Sequence, residues 1–242
     1  MSAVQVVPGF SVVNRWLLYT SFMLAPAQFV SGIGSHLPTN LGFLAYNLYT
    51  QIQWYRAIQS HQLHALSMVV THFNLIYTFT YLGGVTSGNL IMAIILSLGT
   101  GAVLVLNAVS AWTSWVTLLP EGFKTYQFFF FGWRILDGRW HKFFLLWQIV
   151  DSLLSLSSVI SGIAIACYFA DMKAGRWYQH YPVIPIGAAL VMLFGWPTVL
   201  WTELIIGRNH IESDTDMVAV GLFIAQVGTL LMPNFSIGKD DE

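Results

Sequence analysis

Three side chains in this sequence have the chemistry to move a proton within an apolar environment: Asp151, Glu203 and His72. Each falls in a long apolar stretch, where ionisable groups are rare and normally face the interior of a helix bundle. A carboxylic acid kept neutral is a proton donor, and such a donor can protonate an olefin or an epoxide. On this reading Asp151 or Glu203 is the acid, and His72 or the other carboxylate takes the proton back. Aromatic side chains make up 15% of the chain, and their faces stabilise a passing cation. A structural reading stands beside the catalytic one. Asp151 is followed by Ser152, Ser155, Ser157, Ser158 and Ser161, a buried network in its own right, and Glu203 is close enough in sequence to Arg208 for a headgroup-level ion pair.

A second group of polar residues, Asn47, Asn74, Asn107 and Gln226, lies deep in other apolar stretches. Their least costly arrangement is with one another in a common core. The segment GRNHIESDTDM contributes Glu212, Asp214 and Asp216. Glu212 and Asp216 are four apart, so on a helix they would share a face and could hold Mg²⁺ against a diphosphate. The competing reading is a capping box from Ser213 to Asp216 that starts the last helix.

Lipid must surround the elements that carry these residues. Apolar residues are 56% of the 242 and charged residues 9%, whereas a soluble domain has roughly a quarter of its residues charged. The formal net charge of -1 leaves no basic field for nucleic acid. A helix needs ~20 apolar residues to cross a ~30 Å hydrocarbon core. The pattern predicts an all-α, polytopic transmembrane helical bundle of about seven crossings. They lie near 14–32, 39–57, 64–83, 89–118, 142–170, 183–206 and 213–232, within a single integral membrane domain spanning 1–242. The second segment holds Asn47, Gln51 and Gln53 and is the one that could lie in the interface instead. Ala25-Pro26-Ala27 has the small-x-small form of a signal cleavage site, but Arg15 is the first positive charge, so a retained first helix is expected.

Seven crossings put Arg15, Arg56, Lys124, Arg134, Arg139, Lys142 and Arg208 on the N-terminal side, against Lys173, Arg176 and Lys239 on the other. That imbalance predicts a cytoplasmic N-terminus and a lumenal or extracellular C-terminus. The sequon at Asn234 would then begin too close to the bilayer to be modified. The longest connection, 119–141, carries four consecutive phenylalanines beside Arg134 and Arg139. It is expected to be a cytoplasmic interfacial loop or amphipathic helix, with a lid over a lipid-facing site as the functional alternative.

Several functions are excluded. The single cysteine, Cys167, permits no intrachain disulfide and no cysteine-rich metal site. No phosphate-binding loop, nucleophile elbow or haem-attachment motif occurs, and no lysine stands inside the seventh crossing for a retinal Schiff base. No cofactor is therefore expected, and the expected partners are the bilayer and a hydrophobic small molecule. The leading expectation is an intramembrane acid–base enzyme for an isoprenoid or lipid-like substrate, of cyclase or isomerase type. A small-molecule or proton-coupled transporter and a structural membrane subunit are the alternatives. A blind aromatic cavity would favour the enzyme, and a route with polar groups at both mouths the transporter.

Overall fold

The computed structural model describes residues 4–32, 39–63, 65–69, 73, 76–77, 90–171 and 183–231. His72 and Asn74 lie outside the described residues. The chain is mostly helical. Six helices of 15 to 34 residues stand among the described residues: α1 Val12–Gly32, α2 Thr39–Gln59, α3 Leu90–Glu121, α4 Gly138–Asp171, α5 Val183–Arg208 and α6 Met217–Leu231. Three of them are long and apolar enough to cross a membrane, over Ile94–Glu121, Gly138–Ala164 and Ala189–Arg208.

The most direct physical argument for lipid is the polarity of α4. Its buried side is Phe144, Gln148, Asp151, Ser155 and Ser158, at the three- and four-residue spacing of one helix face. Its outward side is Leu146, Leu153 and Ile160, exposed by 62, 62 and 60%. A soluble helix turns its apolar stripe inward. This one does the reverse, packing a polar stripe on α3 and offering aliphatic side chains to its surroundings. Leu98 and Val116 of α3 and Leu193 and Leu200 of α5 are likewise exposed. Apolar surface of that extent is stable against lipid and costly against water.

The expectation of an all-α fold misses two short sheets. Strand β1 (Val4–Val6) pairs in parallel with β4 (Ile211–Ser213), with Val4 opposite Ile211. Strands β2 (Gln127–Phe129) and β3 (Trp133–Ile135) form an antiparallel hairpin, with Phe129 opposite Trp133. Within 119–141, read from sequence as an interfacial loop or an amphipathic helix, α3 runs on to Glu121, the hairpin follows, and α4 begins at Gly138. The physical reason is the turn. Phe131 and Gly132 both adopt positive φ, at 47° and 136°, and Phe130 N donates to Gly132 O at 2.8 Å. A helix cannot pass through such a turn, and glycine is the residue that takes that conformation freely.

The hairpin is fastened rather than loose. Asn209 behaves as an extra strand residue, accepting from Gln127 N at 3.0 Å and donating to Gln127 O at 2.8 Å. The Trp201 indole donates to Phe129 O at 2.6 Å. Phe128 is fully buried against Trp140 and Phe144, while Phe131 at the tip is 90% exposed. Burial, followed by the charge of Glu121, raises the Tyr126 phenol above its ordinary pKa, so it stays protonated on the ring-against-backbone contact that Gly122 permits. At the start of α4, Asp137 accepts from the backbone N–H of Arg139 and Trp140 at 2.9 and 3.0 Å, an N-cap.

These contacts bring the start of α1, the end of α2, the end of α3, the start of α4, the end of α5 and the start of α6 to one end of the bundle. His61 and Glu121, 3.6 Å apart, join the ends of α2 and α3. The core beneath this end is aromatic. Phe10 stacks on Trp54 at 5.3 Å, Trp54 meets Phe73 at 5.4 Å, and Phe22 lies between Phe73 and Tyr77.

Candidate functional site

Glu203, on the last two turns of α5, faces α1. Arg15 grips it with two bonds, Nε to Oε1 at 2.7 Å and Nη2 to Oε2 at 2.9 Å, and Tyr19 donates to Oε1 at 2.6 Å. The other arm of the Arg15 guanidinium donates to Phe10 O at 2.7 Å. The fork of an arginine matches a carboxylate in this way, and both groups hold their positions by it. The expected pairing of Glu203 with Arg208 does not occur. Five residues along a helix is a rotation of ~140°, so Arg208 leaves on another side. It bonds Gln127 Oε1 at 2.7 Å and lies 5.0 Å over the Trp133 ring.

Arg15 and Tyr19 also line a cavity of about 30 Å³ beneath the strand end, walled by Phe10, Tyr46, Trp54 and Phe73. It has room for about two water molecules. A more open chamber of about 390 Å³ lies beyond it, lined among others by Arg56, Ser60 and Gln62. The two share Pro8, Tyr49, Gln53 and Asp216. On that shared wall the Tyr49 hydroxyl donates to Asp216 Oδ2 at 2.8 Å.

Asp216 is held from several sides. Its Oδ1 accepts from the N–H of Val218 at 2.9 Å and of Ala219 at 3.3 Å, which makes it the N-cap of α6. Asn14 bonds its backbone in both directions, accepting from Asp216 N at 2.8 Å and donating to Asp216 O at 3.1 Å. The cap therefore belongs to Asp216 and not to Ser213, as the capping-box spacing implied. Ser213 ends β4, accepting from Phe10 N at 3.1 Å and donating to Val7 O at 2.6 Å. Glu212 and Asp216 do not share a helix face, because Glu212 is in a strand and α6 starts only at Met217. Glu212 accepts instead from Gln5 Nε2 at 3.2 Å, and Asp214 O accepts from Gly9 N at 3.0 Å. Among the described residues no group of three His, Cys, Asp or Glu side chains is placed to hold a metal ion.

Of the polar core, Asn47 and Gln226 do come together, through a residue the sequence did not single out. Ser21 donates to Gln226 Oε1 at 2.9 Å and accepts from Asn47 Nδ2 at 3.3 Å, while Tyr77 donates to Asn47 Oδ1 at 3.1 Å. This chain ties α1, α2 and α6 to the segment that holds Tyr77. Asn107 is fully buried on α3, and Asp151 is 5% exposed on the inner side of α4. Neither lines the aromatic cavity. Asp151 and Glu203 thus face different neighbours, α3 for one and α1 for the other.

Sequence reasoning passed over Arg15, Tyr19, Tyr49 and Ser21. The available signal was the basic residue at the very start of an apolar helix, which needs either a headgroup or a buried acid. Compared with protein-family models, curated proteins and solved structures, the chain matches none.

Proposed function

We infer that this is a multi-pass integral membrane protein with seven crossings, its strand end in the cytoplasm. The reading is supported by the inverted polarity of α4 and by the gathering of Arg15, Arg56, Lys124, Arg134, Arg139, Lys142 and Arg208 at or beside that one end. Its function is intramembrane acid–base catalysis of isomerase or cyclase type on the small reactive end of an isoprenoid or lipid-like molecule. The observation that carries the proposal is the Tyr49–Asp216 pair, 2.8 Å apart on the wall between the outer chamber and the aromatic cavity. The chamber's volume falls within the range of ligand sites, ~300–1,000 Å³, and the inner cavity admits only a short group beside the pair.

In this mechanism Tyr49 exchanges a proton with the substrate and Asp216 holds the proton in the interval. A proton removed at one carbon returns at another, so the reaction is redox-neutral. The rings of Phe10, Tyr46 and Trp54 face any positive charge that develops. Arg15 and Glu203 are positioning residues that fix the floor of the cavity through Tyr19. Asp151, on another interface, is not assigned a catalytic role.

Lipid extracts of cells expressing the wild type, Tyr49→Phe or no protein, compared by untargeted mass spectrometry, test this reading. A product present with the wild type should fall ~100-fold with Tyr49→Phe, at unchanged protein level and melting temperature. Identical extracts from wild-type and empty cells, or from wild type and Tyr49→Phe, overturn it.

A further inference from the structure

Arg56 lines the outer chamber of about 390 Å³. Among the described residues the ion pairs are Arg15–Glu203 and His61–Glu121, and Arg56 has neither an ion pair nor a side-chain hydrogen bond. An arginine in the last turn of a helix ordinarily serves the terminal carbonyls. In α2 other groups serve them. Arg56 O accepts from Ser60 N at 3.1 Å and from Ser60 Oγ at 3.0 Å. Ile58 O accepts from His61 N at 3.1 Å, and Ala57 O from Gln62 N at 2.9 Å. The last two bonds make a Schellman turn, with His61 in the left-handed conformation at φ 55°. The guanidinium is thus left for the chamber, and the turn brings Gln62 to the same lining.

Tyr49, Gln53 and Arg56 line the chamber at spacings of four and three, one stripe along α2. Arg56 stands seven residues beyond Tyr49, ~10 Å further along the axis toward the strand end. The acid in the lining is Asp216, and both of its oxygens are occupied. Its Oδ1 accepts from the N–H groups that open α6, and its Oδ2 accepts from Tyr49. The chamber therefore holds a positive charge without a counter-ion, two helical turns from the proton-transfer pair. A guanidinium in that state, with its planar fork unoccupied, fits an oxyanion.

We propose that the chamber binds the oxyanion head of a monoanionic amphiphile, held by the fork of Arg56 with Gln62 as a further donor. The inference rests on reading the Tyr49–Asp216 pair as the reactive site, and it names the substrate class for that site. The substrate is a lipid-like molecule with one negative charge on its head, ~10 Å from the carbon that exchanges its proton. One guanidinium balances one such charge, and the neighbouring Asp216 carboxylate repels a second. A diphosphate is a poor match on that count. A carboxylate and a phosphodiester share the chemistry required, two oxygens with one charge between them. Anchoring the head two turns from Tyr49 fixes the order of entry: the head stays at the strand end, and the reactive carbon lies beside the pair.

Thermal melting of the purified full chain in nonionic detergent tests the inference. The probes are oleate and dioleoylphosphatidylglycerol, with methyl oleate and dioleoylglycerol as their uncharged counterparts. A saturable rise of ~3 °C or more is expected with at least one anion and with neither neutral probe. A rise with oleate alone assigns the head to a carboxylate, and with the phospholipid alone to a phosphodiester. Arg56→Met should lose the rise yet melt within ~2 °C of the wild type without lipid, since its side chain is exposed. Arg56→Gln takes its place if that variant does not fold. Arg139→Met removes an exposed arginine that does not line the chamber and should keep the rise, as should Tyr49→Phe. The proposal is overturned by no rise with either anion, by an equal rise with the neutral probes, by a rise undiminished in the Arg56 variant, or by an equal loss in Arg139→Met. Loss of product in Tyr49→Phe extracts without any anion response removes the head assignment and leaves the catalytic reading. An anion response with identical extracts does the reverse.

Discussion

Arg15 and Glu203, 188 residues apart in sequence, meet through two parallel bonds of 2.7 and 2.9 Å. The pair joins the first turn of α1 to the end of α5, and Tyr19 shares the same carboxylate. Glu203→Gln should therefore destabilise the protein by ~1–3 kcal/mol, below the full cost of breaking a buried pair because the Glu203 side chain is 34% exposed. Arg15→Met alone should cost a similar amount, and the double variant less than the two together. Detergent melting curves of the four proteins measure this coupling. Strict additivity would show that the pair contributes nothing.

Two glycines make a sharper test of packing. A β-carbon at Gly42 would come 2.7 Å from the Gln226 backbone Cα on α6, whereas the nearest atoms to one at Gly99 belong to the Leu44 side chain. Backbone cannot move aside as a leucine tip can. Gly42→Ala is thus expected to cost ~1–3 kcal/mol and Gly99→Ala much less. Comparable melting temperatures for the two variants would contradict the close approach of α2 and α6.

Asn47 accepts from Tyr77, donates to Ser21 and also donates to Phe43 O at 2.8 Å. Replacing it with leucine removes the acceptor of a buried phenol and should destabilise by ~1–3 kcal/mol. Asn47→Asp keeps the acceptor oxygen for Tyr77 but replaces the Nδ2 donor with a second oxygen, so it should not rescue. Chemical unfolding of both variants in mixed micelles would decide the matter.

The tip of the hairpin is the fourth test. Phe131, 90% exposed between Phe130 and Gly132, is expected to enter the lipid interface beside the basic residues of the strand end. Phe131→Trp should emit at shorter wavelength in bilayers and be quenched by brominated lipid. Water-like emission without quenching would place the hairpin in the aqueous phase.

The helices were legible because each is a long apolar run. The expected 183–206 and 89–118 correspond to Val183–Arg208 and Leu90–Glu121, and 213–232 to the shorter Met217–Leu231. What stayed hidden was what depends on distant partners. Three-residue strands have no alternation to read, and β1 finds β4 some two hundred positions away. Glu203 was matched to Arg208 because sequence shows neighbours, while only the fold shows which faces meet. Asp216 was read as part of a helix face, yet its oxygens cap the helix and bind Tyr49, a role set by where α6 begins.

The Arg15–Glu203 bond also has a timetable. A ribosome adds ~5–20 residues per second, so Arg15 emerges ~10–40 s before the carboxylate that will hold it, given their separation of 188 residues. Throughout that interval the first helix carries a guanidinium with no acid to meet, and β1 has no strand to join. On the membrane-spanning reading proposed above, the segment that holds β1 and Arg15 waits at the membrane surface until residues 203–213 have been made. Chains that stop short of Glu203 should therefore be recognised and degraded by the cell's membrane quality control, while those extending past Ser213 escape.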